Sequence, residues 1–348
     1  MKSRSFHSLL SIFLAVSSLH PVAAKEIQSF KFSLEVRCVV FSPDGKSLAI
    51  ILAPADGVPV AAGAKPEVVV WDVADRKERL RLAGHIKTLE CATFSPDSQM
   101  LAVGAQPKGQ GVELWDLGGG QSKLQITTRA PVSSLSFGAD GKTLAVGTRD
   151  DTVRLLDAGS GQEIRTWRVT NQETNAKVSV AFSPDGAKLA VGSALASDGF
   201  AFVYDPASGE QVARFPAGAV GPAKFGIQAL QFFADGKRIA IAAADLVSAW
   251  DIKVKNELAQ SPKEPNLREL AVTLDGALVA TAGSAARTGG VHLWQFSSTR
   301  VLETFDKDHQ FHSLAFSPNG KLLAGGCHDG TVKIWDVSKP NPKRPKGK

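Results

Sequence analysis

Three histidines close together in the chain offer the first candidate chemistry. His309, His312 and His328 lie within one 20-residue stretch, and imidazole nitrogens are common ligands of Zn²⁺ and other transition metals. The alternative for His309 is a structural hydrogen bond to Asp329, and this alternative is favoured. The sequence therefore predicts no metal site and no other cofactor.

Two short segments are similar to the end of a phosphate-binding loop. Gly45-Lys46-Ser47 and Gly141-Lys142-Thr143 both have the Gly-Lys-Ser/Thr order, but Val40 and Ser136 stand where the loop needs its first glycine. The sequence also contains no His-Glu-x-x-His and no Gly-x-Ser-x-Gly segment. We therefore predict that the protein is not an enzyme.

The elements that must position these residues form a sevenfold repeat. One anchor is a Phe-x-x-Asp-Gly turn, which occurs with variations at residues 41–45, 94–98, 137–141, 182–186, 232–236, 272–276 and 316–320. The other is an aromatic-Asp pair, which occurs with variations at residues 71–72, 115–116, 156–157, 204–205, 250–251, 294–295 and 335–336. Successive pairs lie 44, 41, 48, 46, 44 and 41 residues apart, which is the period of a four-stranded propeller blade.

The repeat predicts an all-β fold, a seven-bladed β-propeller of four-stranded antiparallel blades. In each unit an apolar strand a leads through a tight turn into strands b, c and d, because Pro presets φ and Gly accepts positive φ in such turns. The last unit ends without a strand d, whereas the spare segment Ile27–Leu34 precedes the first unit. We expect this N-terminal segment to pair as the outer strand of the last blade and close the ring.

Three segments carry a family resemblance. Gly84-His85 with Phe94-Ser-Pro-Asp97 and Trp115-Asp116, then Leu144–Asp157, then Leu323–Asp336, resemble WD-repeat units. The resemblance covers about residues 27–337. It implies a rigid platform for protein assemblies, and with the export signal described below it leads us to expect an exported, bacterial member of the family.

One face of the ring is the expected binding side. The b–c and d–a loops emerge on the same face, and the long connections 53–66, 171–177 and 216–226 all belong to these loop types. Elaboration on one face of a repeat architecture is typical of binding, although surface loops also tolerate neutral insertion. The candidate binding residues on this face are Arg149, His328, Lys87, Lys177 and Arg268, with Glu35 and His312 beside them at the channel. The alternative is that these cations are ordinary surface residues.

The two ends of the chain differ from the body. Lys2 and Arg4, the apolar run Leu9–Leu19 and Val22-Ala23-Ala24 have the order of a secretory signal peptide. We therefore expect residues 1–24 to be a signal peptide, 25–338 the WD-repeat propeller and 339–348 a basic disordered tail.

The net charge of the chain comes from its two ends. Residues 1–24 and 339–348 together carry seven basic residues and no acidic residue, so of the formal net charge of +6, residues 25–338 account for −1. A near-neutral body gives no reason to expect a nucleic-acid partner.

Three cysteines, Cys38, Cys91 and Cys327, lie in apolar strand patterns without metal-ligand spacing. They are expected to be buried and inert.

These observations together predict a monomeric, non-catalytic protein–protein interaction platform. It is expected in the periplasm or outside the cell, with no integral membrane segment in the mature chain. The alternative is a propeller enzyme or a small anion- or sugar-binding protein acting at the channel mouth.

Overall fold

Each of the seven repeat units folds into one four-stranded antiparallel sheet. The computed structural model describes residues 24–54, 65–82, 88–106, 111–169, 175–193, 200–216, 226–243, 245–261, 267–283 and 290–338. The innermost strands of neighbouring sheets contact each other all the way round, and the first contacts the last. The predicted seven-bladed, all-β propeller is therefore confirmed.

The strands of each blade run a, b, c, d from the channel outwards. Blades 1 to 3 consist of β2 (Glu35–Phe41), β3 (Ser47–Ala53), β4 (Glu67–Asp72), β5 (Lys77–Leu82); β6 (Leu89–Phe94), β7 (Met100–Ala105), β8 (Val112–Asp116), β9 (Gln121–Ile126); β10 (Val132–Phe137), β11 (Thr143–Thr148), β12 (Thr152–Asp157), β13 (Glu163–Arg168). Blades 4 and 5 consist of β14 (Val178–Phe182), β15 (Leu189–Ser193), β16 (Phe200–Tyr204), β17 (Gln211–Pro216); β18 (Ile227–Phe232), β19 (Arg238–Ala243), β20 (Leu246–Asp251), β21 (Glu257–Gln260). Blade 6 consists of β22 (Leu267–Val272), β23 (Leu278–Gly283), β24 (Val291–Gln295), β25 (Arg300–Phe305), with one 3₁₀ turn at Phe296–Ser298. Blade 7 consists of β26 (Phe311–Phe316), β27 (Leu322–Cys327), β28 (Thr331–Asp336) and, as its outer strand, β1 (Lys25–Lys31).

The hydrophobic core lies between neighbouring blades. Strand β3 is buried at every position, because blades 7 and 2 cover its two faces. Its Leu48 packs with Val332 of blade 7, whereas its Ile51 packs with Leu101 of blade 2. A short, wholly apolar run is what a strand covered on both faces requires. Each blade is therefore stable only against its neighbours.

The a–b turns share one hydrogen-bond pattern. In blade 1 the Ser42 hydroxyl donates to Asp44 Oδ1 at 2.6 Å and accepts from the Ser47 amide at 2.9 Å. Gly45 follows with φ of +71°, a conformation that costs glycine nothing. The same hydroxyl pattern occurs in blades 2, 4, 6 and 7, at Ser95, Ser183, Thr273 and Ser317. These hydroxyls therefore satisfy most polar groups of their own turns, although the Asp44 amide also donates to Ser98 Oγ of blade 2 at 3.2 Å.

The N-terminal strand closes the ring as predicted. β1 pairs antiparallel with β28, from Lys25 opposite Asp336 to Lys31 opposite Thr331. The strand begins and ends slightly earlier than the predicted segment 27–34. Phe30 also stacks on Trp71 of blade 1, with ring centroids 4.2 Å apart. β1 thus completes the last blade and fastens it to the first.

The predicted signal peptide and tail lie almost entirely outside the described residues, which run from 24 to 338 with internal gaps. Strand β1 begins at Lys25, the residue at which we expect the mature chain to start. Within the described part of the chain, we find no helix with the length and apolar character needed to cross a membrane.

Candidate functional site

The a strands enclose a cavity of about 570 Å³ where they begin, on the face that carries the b–c and d–a loops. We call this face the loop face and this cavity the channel mouth. Six blades contribute charged or titratable side chains to its lining: Arg37, Glu90, Arg149, Lys177, Arg268, Glu269 and His312. The lining is thus mixed in charge and belongs to no single blade.

The structure brings together three of the predicted binding residues. Arg149, Lys177 and Arg268 all line the channel mouth. His328 lies beside it, because its ring nitrogen contacts His312, which is part of the lining. Lys87 lies outside the described residues, as do the central parts of the three long loops.

Lys177 and Glu269 form an ion pair between blades 4 and 6, with Nζ 3.7 Å from Oε1. Burial alone would lower the pKa of Lys177, but the carboxylates of Glu269 and Glu90 outweigh it and raise this pKa. Burial also raises the pKa of Glu269, although Lys177 opposes the shift. The two side chains therefore depend on each other to remain charged inside the mouth.

Arg149 and Glu90 form a second cross-blade contact. Arg149 Nη2 lies 3.4 Å from Glu90 Oε1, and the side-chain amide of Gln106 donates to Glu90 Oε2 at 2.6 Å. The Arg149 side chain is only 29% exposed, so most of it is packed against its neighbours. Its Nε is buried and has no hydrogen-bond partner within the described part of the protein. This nitrogen is therefore an unsatisfied donor that its neighbours shield from solvent.

The histidines of blade 7 divide into two groups. His312 Nε2 lies 3.0 Å from His328 Nδ1, and the same His328 nitrogen lies 2.6 Å from Glu35 Oε1. His309 instead has its Nδ1 2.6 Å from Asp306 Oδ1. The predicted bond from His309 to Asp329 is wrong, because Asp329 pairs with Lys31 of the closing strand at 3.1 Å.

Sequence reasoning did not identify Arg37, Glu90 and Glu269. Each lies in the second or third position of an a strand, and each lines the channel mouth. A polar residue in the second or third position of an otherwise apolar inner strand was the available signal. The partners of these residues could not be found in this way, because they come from other blades.

The three cysteines are free. Cys327 is buried as predicted, whereas Cys38 and Cys91 are half-buried and line the channel mouth. Burial raises the pKa of Cys38 to about 11 and that of Cys91 well above its usual value. Both thiols therefore stay protonated at neutral pH, which makes them poor nucleophiles.

Comparison with known proteins identifies WD-type repeats in the chain. Residues 161–205 and 299–336 match the WD40 family, described as WD domain, G-beta repeat. Residues 93–178 match the anaphase-promoting complex subunit 4 WD40 domain. With the seven observed blades, these matches support a WD-repeat propeller.

Three relatives illustrate the similarity. Periodic tryptophan protein 2 of Arabidopsis thaliana is 27% identical over 78% of this chain and 24% of its own length. Pre-mRNA-processing factor 19 of Oryza sativa subsp. japonica is 24% identical over 83% of this chain and 54% of its own length. WD repeat-containing protein 26 homolog of Arabidopsis thaliana is 23% identical over 99% of this chain and 56% of its own length. The chain thus covers from just under a quarter to just over half of the length of these relatives. All three are eukaryotic, so they do not support the expected bacterial source.

Proposed function

We propose that this WD-repeat propeller is a non-catalytic platform that binds a protein partner at its loop face, in an exported compartment. The observation that carries the proposal is the convergence of charged or titratable side chains from six blades at the channel mouth. Such a convergence needs the complete ring, so it presents a rigid polar surface. Rigid surfaces bind with a smaller loss of conformational entropy than flexible ones.

The mixture of charges favours a protein partner over a nucleic acid. Nucleic-acid sites are dominated by cations that contact phosphates, whereas here Glu90 and Glu269 lie among Arg149, Lys177 and Arg268. The body of the chain also carries a net charge of −1. The name of one relative refers to pre-mRNA processing. The charges of this chain nevertheless support a protein partner whose surface carries complementary charges of both signs.

The pairing of the titratable groups argues against catalysis. A general base must be available to take a proton from a substrate, but the carboxylates of Glu90 and Glu269 are held by Arg149 and Lys177. The second candidate is a small anion or sugar bound in the channel mouth. Its volume of about 570 Å³ falls in the range of small-molecule sites, and Arg149 and Lys177 supply cationic donors in its lining.

Site-directed photocrosslinking tests the platform directly. A photoreactive residue placed at Arg268 on the loop face, in the producing cell, should yield a discrete protein adduct that mass spectrometry identifies. The same residue placed at Lys46 on the opposite face serves as the matched control and should yield none. Adducts only from the control position, or none from either, would contradict the proposal.

Binding of the purified protein to inorganic phosphate, sulfate or simple sugars distinguishes the second candidate. Saturable binding that Arg149→Ala abolishes, in the absence of any loop-face adduct, would favour a small-ligand protein.

The exported location rests on the N-terminal sequence. Cleavage after Ala24 would leave Lys25, the first residue of β1, at the mature N-terminus. Intact-mass measurement on protein from the producing cell should give the mass of residues 25–348. A mass that includes residues 1–24 would contradict cleavage at this site.

A further inference from the structure

Three potential metal ligands converge where the first and last blades meet. Glu35 begins β2 in blade 1, His312 lies on β26 in blade 7, and His328 directly follows β27 in the same blade. One ligand atom from each lies within 4.8 Å of the other two. The pairing of β26 with β27 brings the two histidines together within blade 7, and ring closure adds Glu35 of blade 1.

The distances within this group suit a single ion. His312 Nε2 and His328 Nδ1 are 3.0 Å apart, and Glu35 oxygens lie 2.6 Å from His328 Nδ1 and 3.8 Å from His312 Nε2. Ligands at about 2.0–2.1 Å around a tetrahedral Zn²⁺ stand roughly 3.3 Å apart. The two Glu35 distances are to different oxygens, Oε1 for His328 and Oε2 for His312. Side-chain rotations that shift these atoms by about 0.3–0.7 Å relative to one another would bring one atom of each residue to bonding distance of one ion.

The hydrogen-bond chemistry also leaves room for a cation. An ionised carboxylate only accepts, so His328 Nδ1 donates its proton to Glu35. His312 Nε2, 3.0 Å from the same nitrogen, must then present its lone pair, because two N–H groups cannot face each other. Three electron-rich atoms thus surround one proton. A divalent ion in place of that proton would bind all three.

Neighbouring groups hold the ligands in position. Glu35 is only 7% exposed, and Arg37 Nη2 lies 3.1 Å from its Oε2, which orients the carboxylate. Such partners of metal ligands fix ligand geometry in known sites. The His328 side chain is 56% exposed, so one side of the group remains open to water. His309 takes no part, because it pairs with Asp306.

We propose that Glu35, His312 and His328 bind one divalent transition-metal ion, with Zn²⁺ the best match, and that this ion joins blade 1 to blade 7. Two imidazoles and one carboxylate form a donor set that such ions accept. The ion supplements the closing strand β1, which fastens the same two blades further out. Because the ligand set exists only in the folded ring, ion binding stabilises the folded state.

The test uses untagged mature protein that has been freed of metal with a chelator and then dialysed. Zn²⁺ is titrated in competition with a chromophoric chelator, and thermal unfolding is followed with and without Zn²⁺. We expect one tightly bound Zn²⁺ per chain and a rise in the unfolding temperature. Bound Co²⁺ should give the visible absorption of a tetrahedral or five-coordinate nitrogen–oxygen site.

Variants assign the ligands. His328→Ala and His312→Ala should each weaken Zn²⁺ binding at least tenfold and remove the thermal shift. His309→Ala, in the same blade, should leave both unchanged. His328→Ala changes an exposed side chain, so its circular dichroism should match that of the parent protein. Unchanged binding in His328→Ala, an equal loss in His309→Ala, or no bound Zn²⁺ in the parent protein would overturn the proposal.

Discussion

The two faces of the ring are built from the same strands but satisfy their polar groups in different ways. On the face of the a–b turns, which we call the turn face, Ser183 bonds both Asp185 and the Lys188 amide within six residues. On the loop face, Lys177 reaches Glu269 two blades away. The turn face is therefore stabilised mainly by hydrogen bonds within each blade, whereas the Lys177–Glu269 and Arg149–Glu90 pairs of the loop face form only between blades.

This difference explains where function can reside. A turn whose polar groups already form hydrogen bonds offers few free donors to a partner. Such turns also occur in similar form in most of the blades. The channel mouth instead combines side chains that occur only once, such as Arg149 and Lys177. Specific recognition needs an arrangement that is not repeated around the ring.

The largest expected effect concerns ring closure, on which the loop face depends. Deletion of β1 (residues 25–31) should expose the edge of β28 and remove the stacking of Phe30 on Trp71. We expect aggregation or a drop in unfolding temperature of many degrees, measured by calorimetry and light scattering. Deletion of residues 339–348 is the control and should leave the melting temperature unchanged. A β1 deletion that melts like the parent would mean that closure does not support the ring.

The next effect compares one lysine from each face. Lys177→Ala leaves Glu269 and Glu90 without their shared cation, and we expect a loss of about 1–2 kcal/mol in the free energy of unfolding. Lys46→Ala on the turn face changes an exposed side chain and should stay within about 0.5 kcal/mol. Denaturant titration measures both. Equal losses would remove the distinction between the faces.

The Lys177→Ala deficit should also depend on pH. Burial raises the pKa of Glu269 in the folded protein, so its ionised form opposes folding above the unfolded pKa, and more so without Lys177. Protonation relieves this cost. The deficit should therefore shrink as the pH falls through the raised pKa of Glu269, and a deficit that grows on acidification would contradict the assignment.

The smallest effect concerns the turn face. The hydroxyl of Ser183 lowers the pKa of Asp185, so the ionised carboxylate stabilises the fold above its unfolded pKa, and this contribution disappears as the pH falls through the folded pKa. Asp185→Asn copies the Asn319 turn of blade 7, where the Ser317 hydroxyl donates to the amide oxygen. We expect a loss below about 1 kcal/mol at pH 7.

Comparison of the unfolding free energies of Asp185→Asn and the parent protein at pH 7 and pH 3 checks this account. The difference between the two proteins should become smaller at pH 3. A difference that stays constant would show that the charge of Asp185 is irrelevant to the turn.

The sequence predicts the blades well because their determinants are local. Ser183, Asp185 and Gly186 specify their turn by themselves. The β1 segment can be assigned because the last repeat unit is the one that lacks a strand d. The channel mouth is harder, because neither Lys177 nor Glu269 carries a signal that names the other. Even the nearby pairing of His309 with Asp306 was missed. It depends on the backbone at Asp306, whose φ is +54°, and a repeat pattern does not predict such a turn.

The most direct test of the loop face as the binding surface measures affinity for the protein that photocrosslinking identifies. Arg149→Ala and His328→Ala should weaken that binding about tenfold or more, while Lys46→Ala and Lys188→Ala on the turn face should bind as the parent does. All four variants should be compared after metal has been removed with a chelator, at matched folding, by circular dichroism and melting temperature. Loss of binding in the Lys46 and Lys188 variants, with binding retained in the Arg149 and His328 variants, would contradict the account.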